Sequence, residues 1–154
     1  MSGQDTSVKG LSHGSEPGES DYRALADFRS VLRRFLAFSD AAATTAGLTA
    51  QRYQALLAIR VRASTQIMSV GALAEELLIK PHSAAELVNR LEAAGLVRRA
   101  IDSADRRRVL LALTEEGETR LSQLARAQLQ ELESHRAALL DLMDALQKSS
   151  KRSD

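Results

Sequence analysis

The apolar residues recur at helical steps over most of the chain, with one interruption in which two short apolar blocks flank a charged turn. From Asp21 onward Leu25, Phe28, Leu32 and Phe35 repeat every three or four residues, predicting a helix over 21–46. Val31, Leu36 and Phe38 add apolar area on other faces, so this helix needs more than one surface to pack against. Gly47 stops it. Thr49 caps a second helix carrying Tyr53, Leu56, Leu57 and Val61, and Ser69 caps a short third one whose inward positions are Val70, Leu73, Ala74 and Leu77. Pro81 suits the first turn of a fourth helix, because its missing N–H would be unpaired there anyway. Ala84, Leu87, Val88 and Leu91 form the stripe of that helix, and Gly95 ends it. The period then changes. Leu96–Ile101 and Val109–Leu113 have strand length, and the polar residues 102–108 between them make a hairpin. Thr114 caps a last long helix, predicted over 114–147. Leu121, Leu124 and Ala125 face inward early on, and Leu132, Arg136, Leu139, Met143 and Leu146 continue the spacing of a packed bundle. Residues 1–20, poor in large apolar side chains, are predicted to be a disordered tail, and 148–154 to fray.

The fold class this pattern predicts is mainly α with a small β-hairpin. At 154 residues there is room for one domain with a real core, and 44% hydrophobic against 27% charged residues is ordinary for a globular protein. The chain has no cysteine, which removes disulfides, thiolate metal sites, cysteine nucleophiles and thiol redox sensing together. Three scattered histidines, no phosphate-binding glycine loop and no metal-spaced cluster argue against an enzyme, a metal and a cofactor. No apolar run reaches membrane-span length, and Met1 to Gly18 lack a signal-peptide core, so the expected location is the cytoplasm. A net charge of +1 is uninformative as a total, so the distribution has to be read locally. Between Val97 and Arg108 five arginines stand against two aspartates.

Short helix, tight connection, second helix, then a hairpin with a cationic tip is the order of a winged helix-turn-helix. A helix N-terminus can enter the major groove while a thin basic loop reaches the narrower minor groove. Subtracting the apolar stripe of the fourth helix leaves Lys80, Pro81, His82, Ser83, Ala85, Glu86, Asn89 and Arg90 to face DNA, joined by Arg106, Arg107 and Arg108 on the hairpin. Glu86 could accept from a cytosine amine, but as a carboxylate it repels phosphates. Leu25, Phe28, Leu32, Leu132, Leu139, Met143 and Leu146 are the expected dimer interface.

At these same residues the chain resembles the MarR family of bacterial regulators. Asp102-Ser-Ala-Asp-Arg-Arg-Arg-Val-Leu-Leu-Ala-Leu-Thr-Glu-Glu-Gly117 is similar to the family's wing signature, and Leu48-Thr-Ala-Gln-Arg-Tyr-Gln-Ala-Leu56 to its second-helix pattern. Val70-Gly-Ala-Leu-Ala-Glu-Glu-Leu77 and Leu87-Val-Asn-Arg-Leu-Glu-Ala-Ala-Gly-Leu-Val97 are similar to its DNA-binding core. The likeness spans about 21–147. It implies a winged helix over about 48–114, with dimerisation helices over about 21–46 and 114–147. It also implies a homodimeric repressor that reads an inverted repeat in double-stranded DNA, released by a small aromatic or phenolic ligand bound between the dimerisation helices and the winged domain. By position Asp105 and Arg107 match a pair that shapes the wing, and Arg106 sits at its tip; either arginine could enter the minor groove. The chain departs from many members in having Ala85 and Glu86 in mid-helix, and its lack of cysteine excludes the family's peroxide sensing.

Plainer assignments stand beside these. The arginine run could be a solvated turn, His82 a helix-start residue, and the steps at Phe28, Leu32 and Phe35 an internal core. His135 reads best as a surface partner of Glu131, and Tyr53 as core. A rival function is a winged-helix module for protein–protein contact, which would need neither a cationic wing tip nor a polar helix start.

Overall fold

A computed structural model of the chain describes residues 16–63 and 68–150; residues 1–15, most of the expected tail, and 151–154 lie outside it. The elements run α1 (Glu19–Thr45), α2 (Ala50–Ala63), α3 (Val70–Glu76), α4 (Pro81–Ala93), β1 (Val97–Ile101), β2 (Val109–Leu113), α5 (Glu115–Ser134) and α6 (Arg136–Ser150). They form two compact units, one of Phe35–Glu133 and one of the residues up to Arg34 together with those from Ser134 on. The mainly helical architecture with a two-stranded hairpin is the one the apolar pattern predicts.

Local chemistry sets most boundaries. Thr49 Oγ1 accepts the Arg52 N–H (3.2 Å), Ser69 Oγ the Ala72 N–H (3.1 Å) and Thr114 Oγ1 the Gly117 N–H (3.0 Å), satisfying donors that a helix start leaves unpaired. Pro81 occupies the first turn of α4 as expected.

Three helices close by one and the same backbone device. At the end of α1 the Leu48 N–H donates to the Ala43 carbonyl (2.9 Å) and the Gly47 N–H to that of Thr44 (3.0 Å). At the end of α4 Leu96 and Gly95 repeat the pattern onto Leu91 and Glu92 (2.9 Å each). At the end of α3 Ile79 and Leu78 repeat it onto Ala74 (3.0 Å) and Glu75 (3.2 Å). The pivot residue must be left-handed, and Gly47 (φ 73°) and Gly95 (φ 72°) adopt that conformation without a steric cost. The third pivot is Leu78, at φ 54°. For a residue with a Cβ that conformation costs about 1–2 kcal/mol.

The Phe35–Glu133 unit holds a continuous core. Leu56, Ile59, Leu73, Val88 and Leu91 are shielded from solvent, as is Met68, whose carbonyl accepts the Leu111 N–H (2.8 Å) and so flanks β2. Tyr53 joins this core, where burial pushes its phenol above its usual pKa. Ser39 and Gln128 are a buried polar pair, the amide donating to the hydroxyl at 2.6 Å. The root of the hairpin is held to the start of α5: Thr114 donates its N–H to the Leu96 carbonyl (3.0 Å) and its hydroxyl to the Gly95 carbonyl (2.5 Å). Gly117 lies so close that a Cβ there would fall 2.1 Å from the Leu96 oxygen.

Three details differ from the sequence reading. α1 begins at Glu19, inside the expected 1–20 tail, because Gly18 caps it and the Asp21 carboxylate accepts the Gly18 N–H (2.8 Å). α6 continues to Ser150, so Lys148 to Ser150, expected to fray, are helical. The single long helix expected over 114–147 is broken at His135 into α5 and α6. On α2, Leu57 and Val61 are exposed, whereas Ala55 and Ile59 are buried.

In the other unit Ala24 and Leu142 are buried, while Tyr22, Leu25, Phe28, Leu32, Leu140 and Met143 are exposed. A cleft of about 600 Å³ lies between α1 and α6, lined among others by Arg23, Asp27, Val31, Arg34, His135 and Leu142. His135 stands at the break, its Nδ1 3.0 Å from Ser134 Oγ, rather than inside one long helix.

Candidate nucleic-acid interface

The amphipathic pattern of α4 fixes what it can present. Ala84, Leu87, Val88 and Leu91 are buried, which turns the opposite face outward. Lys80, Pro81, His82, Glu86, Asn89 and Arg90 are exposed, and Ser83 and Ala85 are half-buried at the margin of the stripe. Lys80, at the N-cap position, makes no side-chain cap bond. The first turn of α4 therefore offers backbone N–H groups at the positive end of the helix dipole.

Not all of that face is free. Glu86 lies 3.7 Å from Arg90 one turn on, so its charge is partly offset by a neighbour on its own helix. Such an exposed pair is worth a few tenths of a kcal/mol and can open readily. Asn89 is more firmly engaged: its Oδ1 accepts from Arg99 Nη2 at 2.7 Å, and the other terminal nitrogen of Arg99 pairs with Glu92. Arg99, on β1, thus clamps the wing to two residues of α4. The sequence reading missed Arg99. Its only sequence signal was membership of the basic stretch, because the contact joins residues ten positions apart across a helix end and a strand.

The hairpin pairs Val97 with Leu113 through Ile101 with Val109 in antiparallel register. Its turn is built by two carboxylates acting on the backbone. Asp102, buried, accepts the Ala104 N–H (2.9 Å), and Asp105 accepts the Arg107 N–H (3.0 Å). The Arg108 N–H donates to the Asp105 carbonyl (2.9 Å), and the Asp102 N–H to that of Arg108 (3.0 Å). Asp105 therefore engages Arg107 through the main chain, and among the described residues no ion pair joins their side chains. Asp102 shares the task, a role that sequence reasoning did not assign. The result is a stiff loop from which Arg106, Arg107 and Arg108 all project, exposed and outside every ion pair among the described residues.

Of the expected interface residues on the helices, Leu25, Phe28, Leu32, Leu132 and Met143 are exposed and Leu139 is half-buried. Leu146 lies on α6 with its side chain outside the described set. Among the described residues no cluster of three or more His, Asp or Glu could hold a metal ion, and no helix is long and apolar enough to cross a membrane.

Comparison with known proteins places this geometry. Residues 46–108 match the model of the MarR family. The fold is similar to that of AbsC, a MarR family transcriptional regulator from Streptomyces coelicolor, with a TM-score of 0.66 and 22% identity over 88% of this chain and 95% of that one. It is similar to a multiple antibiotic-resistance repressor (MarR) from Listeria monocytogenes, with a TM-score of 0.60 and 25% identity over 88% and 99% of the two chains. A mutant of S. aureus MepR bound to an oligodeoxyribonucleotide has a TM-score of 0.61 and 20% identity over 81% and 97%. No curated protein matches the sequence.

Proposed function

We propose that the chain, whose residues 46–108 match the MarR family model and whose fold is similar to that of MarR-family regulators, is a homodimeric, sequence-specific DNA-binding transcriptional regulator that represses from an inverted-repeat operator. The observation that carries the reading is the conjunction of an outward polar face on α4 with three exposed arginines on a loop braced by Asp102 and Asp105. The oligodeoxyribonucleotide in the MepR structure supports it. In this reading the first turn of α4 lies in the major groove. Lys80 and His82 contact phosphates, Ser83, Ala85 and Glu86 meet base edges, and Arg90 leaves Glu86 for the DNA. Asn89 contributes less, being held by Arg99. Arg106, Arg107 and Arg108 reach the minor groove or its flanking phosphates.

The exposed apolar side chains of α1, α5 and α6 supply the dimer interface, with half-sites about one helical turn, roughly 10 bp, apart. A small aromatic or phenolic ligand would release the DNA.

The test is fluorescence anisotropy on the DNA upstream of the protein's own gene and on a scrambled duplex, across a salt series. The expected result is preference for the native sequence at physiological salt, with log Kd rising steeply with log salt because several phosphates are neutralised per dimer. Equal affinity for both duplexes would reject specific regulation.

A further inference from the structure

The three helix closures differ at one atom that matters. All use the same pair of backbone hydrogen bonds, and two place glycine at the left-handed pivot, whereas the third places Leu78 there. Those bonds need no side chain, so glycine or asparagine would make them equally well. The leucine side chain does not serve the fold by packing either: Leu78 is 92% exposed, the highest value among the exposed large hydrophobics of the described residues. Leu77 and Ile79 on either side of it in sequence pack against the core, so among these neighbouring apolar residues Leu78 alone is turned outward. The residue is unfavourable in backbone conformation and in solvation at the same time.

Its position says what could cover it. Leu78 lies two residues before Lys80 and three before Pro81, at the entrance to the helix start that the proposed function lays in the major groove. Glu75, Glu76, Lys80 and His82 around it in sequence are exposed and polar. A solitary apolar side chain among charges is too small a patch for a protein partner. DNA offers single apolar groups of matching size beside its phosphates, namely the thymine 5-methyl and the face of deoxyribose.

We propose that Leu78 is an apolar DNA contact, held in an unfavourable left-handed turn so that its side chain meets the duplex beside the start of α4. The inference rests on the reading that α4 lies on DNA.

Three variants test it, Leu78→Gly, Leu78→Asn and Leu78→Met, each measured for thermal unfolding and for operator affinity. Gly and Asn should melt a few degrees higher than the parent, since both accept the left-handed conformation more readily. They should nevertheless bind the operator about tenfold more weakly, while Met, still apolar, stays within about twofold. Asn separates contact from stiffness: if Gly alone loses affinity, the turn's rigidity explains the loss and the proposal is overturned. It is also overturned if Gly and Asn both bind like the parent while Arg106→Ala still weakens binding, an outcome that leaves the DNA reading intact. If the parent itself shows no specific binding, that reading fails and this one with it.

Operator duplexes with thymine replaced by deoxyuridine then identify the group touched. Loss of affinity in the parent that disappears in Leu78→Asn assigns the methyl. No effect of deoxyuridine, with Asn still weakened, assigns deoxyribose.

Discussion

The Phe35–Glu133 unit and the unit formed by the two ends of the chain use their apolar residues in opposite ways. Among the described residues the largest fully buried side chains, Leu56, Ile59, Met68, Leu73, Leu91, Val88 and Val97, all belong to the first. Among the described residues the second buries only Ala24 and Leu142, yet exposes Tyr22, Leu25, Phe28, Leu32, Leu140 and Met143. One unit completes its core from its own chain. The other is left short of partners. An exposed apolar face that recurs at helical spacing marks where association supplies the missing burial, so the two units should answer differently to substitution.

The largest effect is expected where the proposed homodimer would supply the missing burial. On the proposed reading the parent sediments as a dimer at micromolar concentrations, and Phe28→Asp combined with Met143→Asp, which places two charges on the apolar face, should then sediment as monomer there. The helices of that unit should lose amide protection while the winged helix keeps most of its own. Equal loss in both units would show that the division is not an energetic one.

Next in size is a cavity inside the self-sufficient unit. Leu56→Ala should cost about 2–5 kcal/mol in chemical denaturation, with little change in oligomeric state at temperatures where the protein remains folded. If it dissociates the dimer as readily as the charged pair does, the two units fold as one and the contrast fails.

The smallest effect on stability belongs to the wing tip. Arg106→Ala should change unfolding by less than about 0.5 kcal/mol while weakening binding to most duplexes alike, with the slope against salt shallower by about one. Because Asp105 holds Arg107 by its N–H, Arg107→Ala should behave in the same way, leaving the turn intact. Should Arg107→Ala alone loosen the turn, side-chain pairing with Asp105 is restored as the explanation.

Much of the fold was legible because its punctuation is local. Gly47, Thr49, Ser69, Pro81, Gly95 and Thr114 each act on the backbone within a few residues, and each ends or starts a helix as its chemistry predicts. The break at His135 was invisible because neither glycine nor proline marks it and the apolar spacing from Leu132 to Leu139 runs straight through. That α2 buries Ala55 and Ile59 but exposes Leu57 and Val61 was not legible, because sequence spacing gives a stripe without saying which edge of it meets a neighbour. At the site, the outward set on α4 follows from its inward set. The Arg99 clamp on Asn89 and Glu92 does not, since it depends on where a strand returns past a helix. Leu78 escaped notice for the reverse reason: a left-handed turn without glycine leaves no compositional trace.

The attachment of the wing to α5 also sets a gradient of motion along the hairpin. At the root the Leu96 carbonyl receives the Thr114 N–H and is approached by Gly117 too closely for any side chain. At the tip the loop is held by its own Asp102 and Asp105, with Ile101 and Val109 exposed beside it. Root amides should therefore exchange with solvent only in larger openings than those that release the exposed, self-braced tip. A wing built this way behaves as a lever on a fixed fulcrum. On the proposed DNA reading, small movements of the braced tip about that root would let its arginines meet grooves of different width.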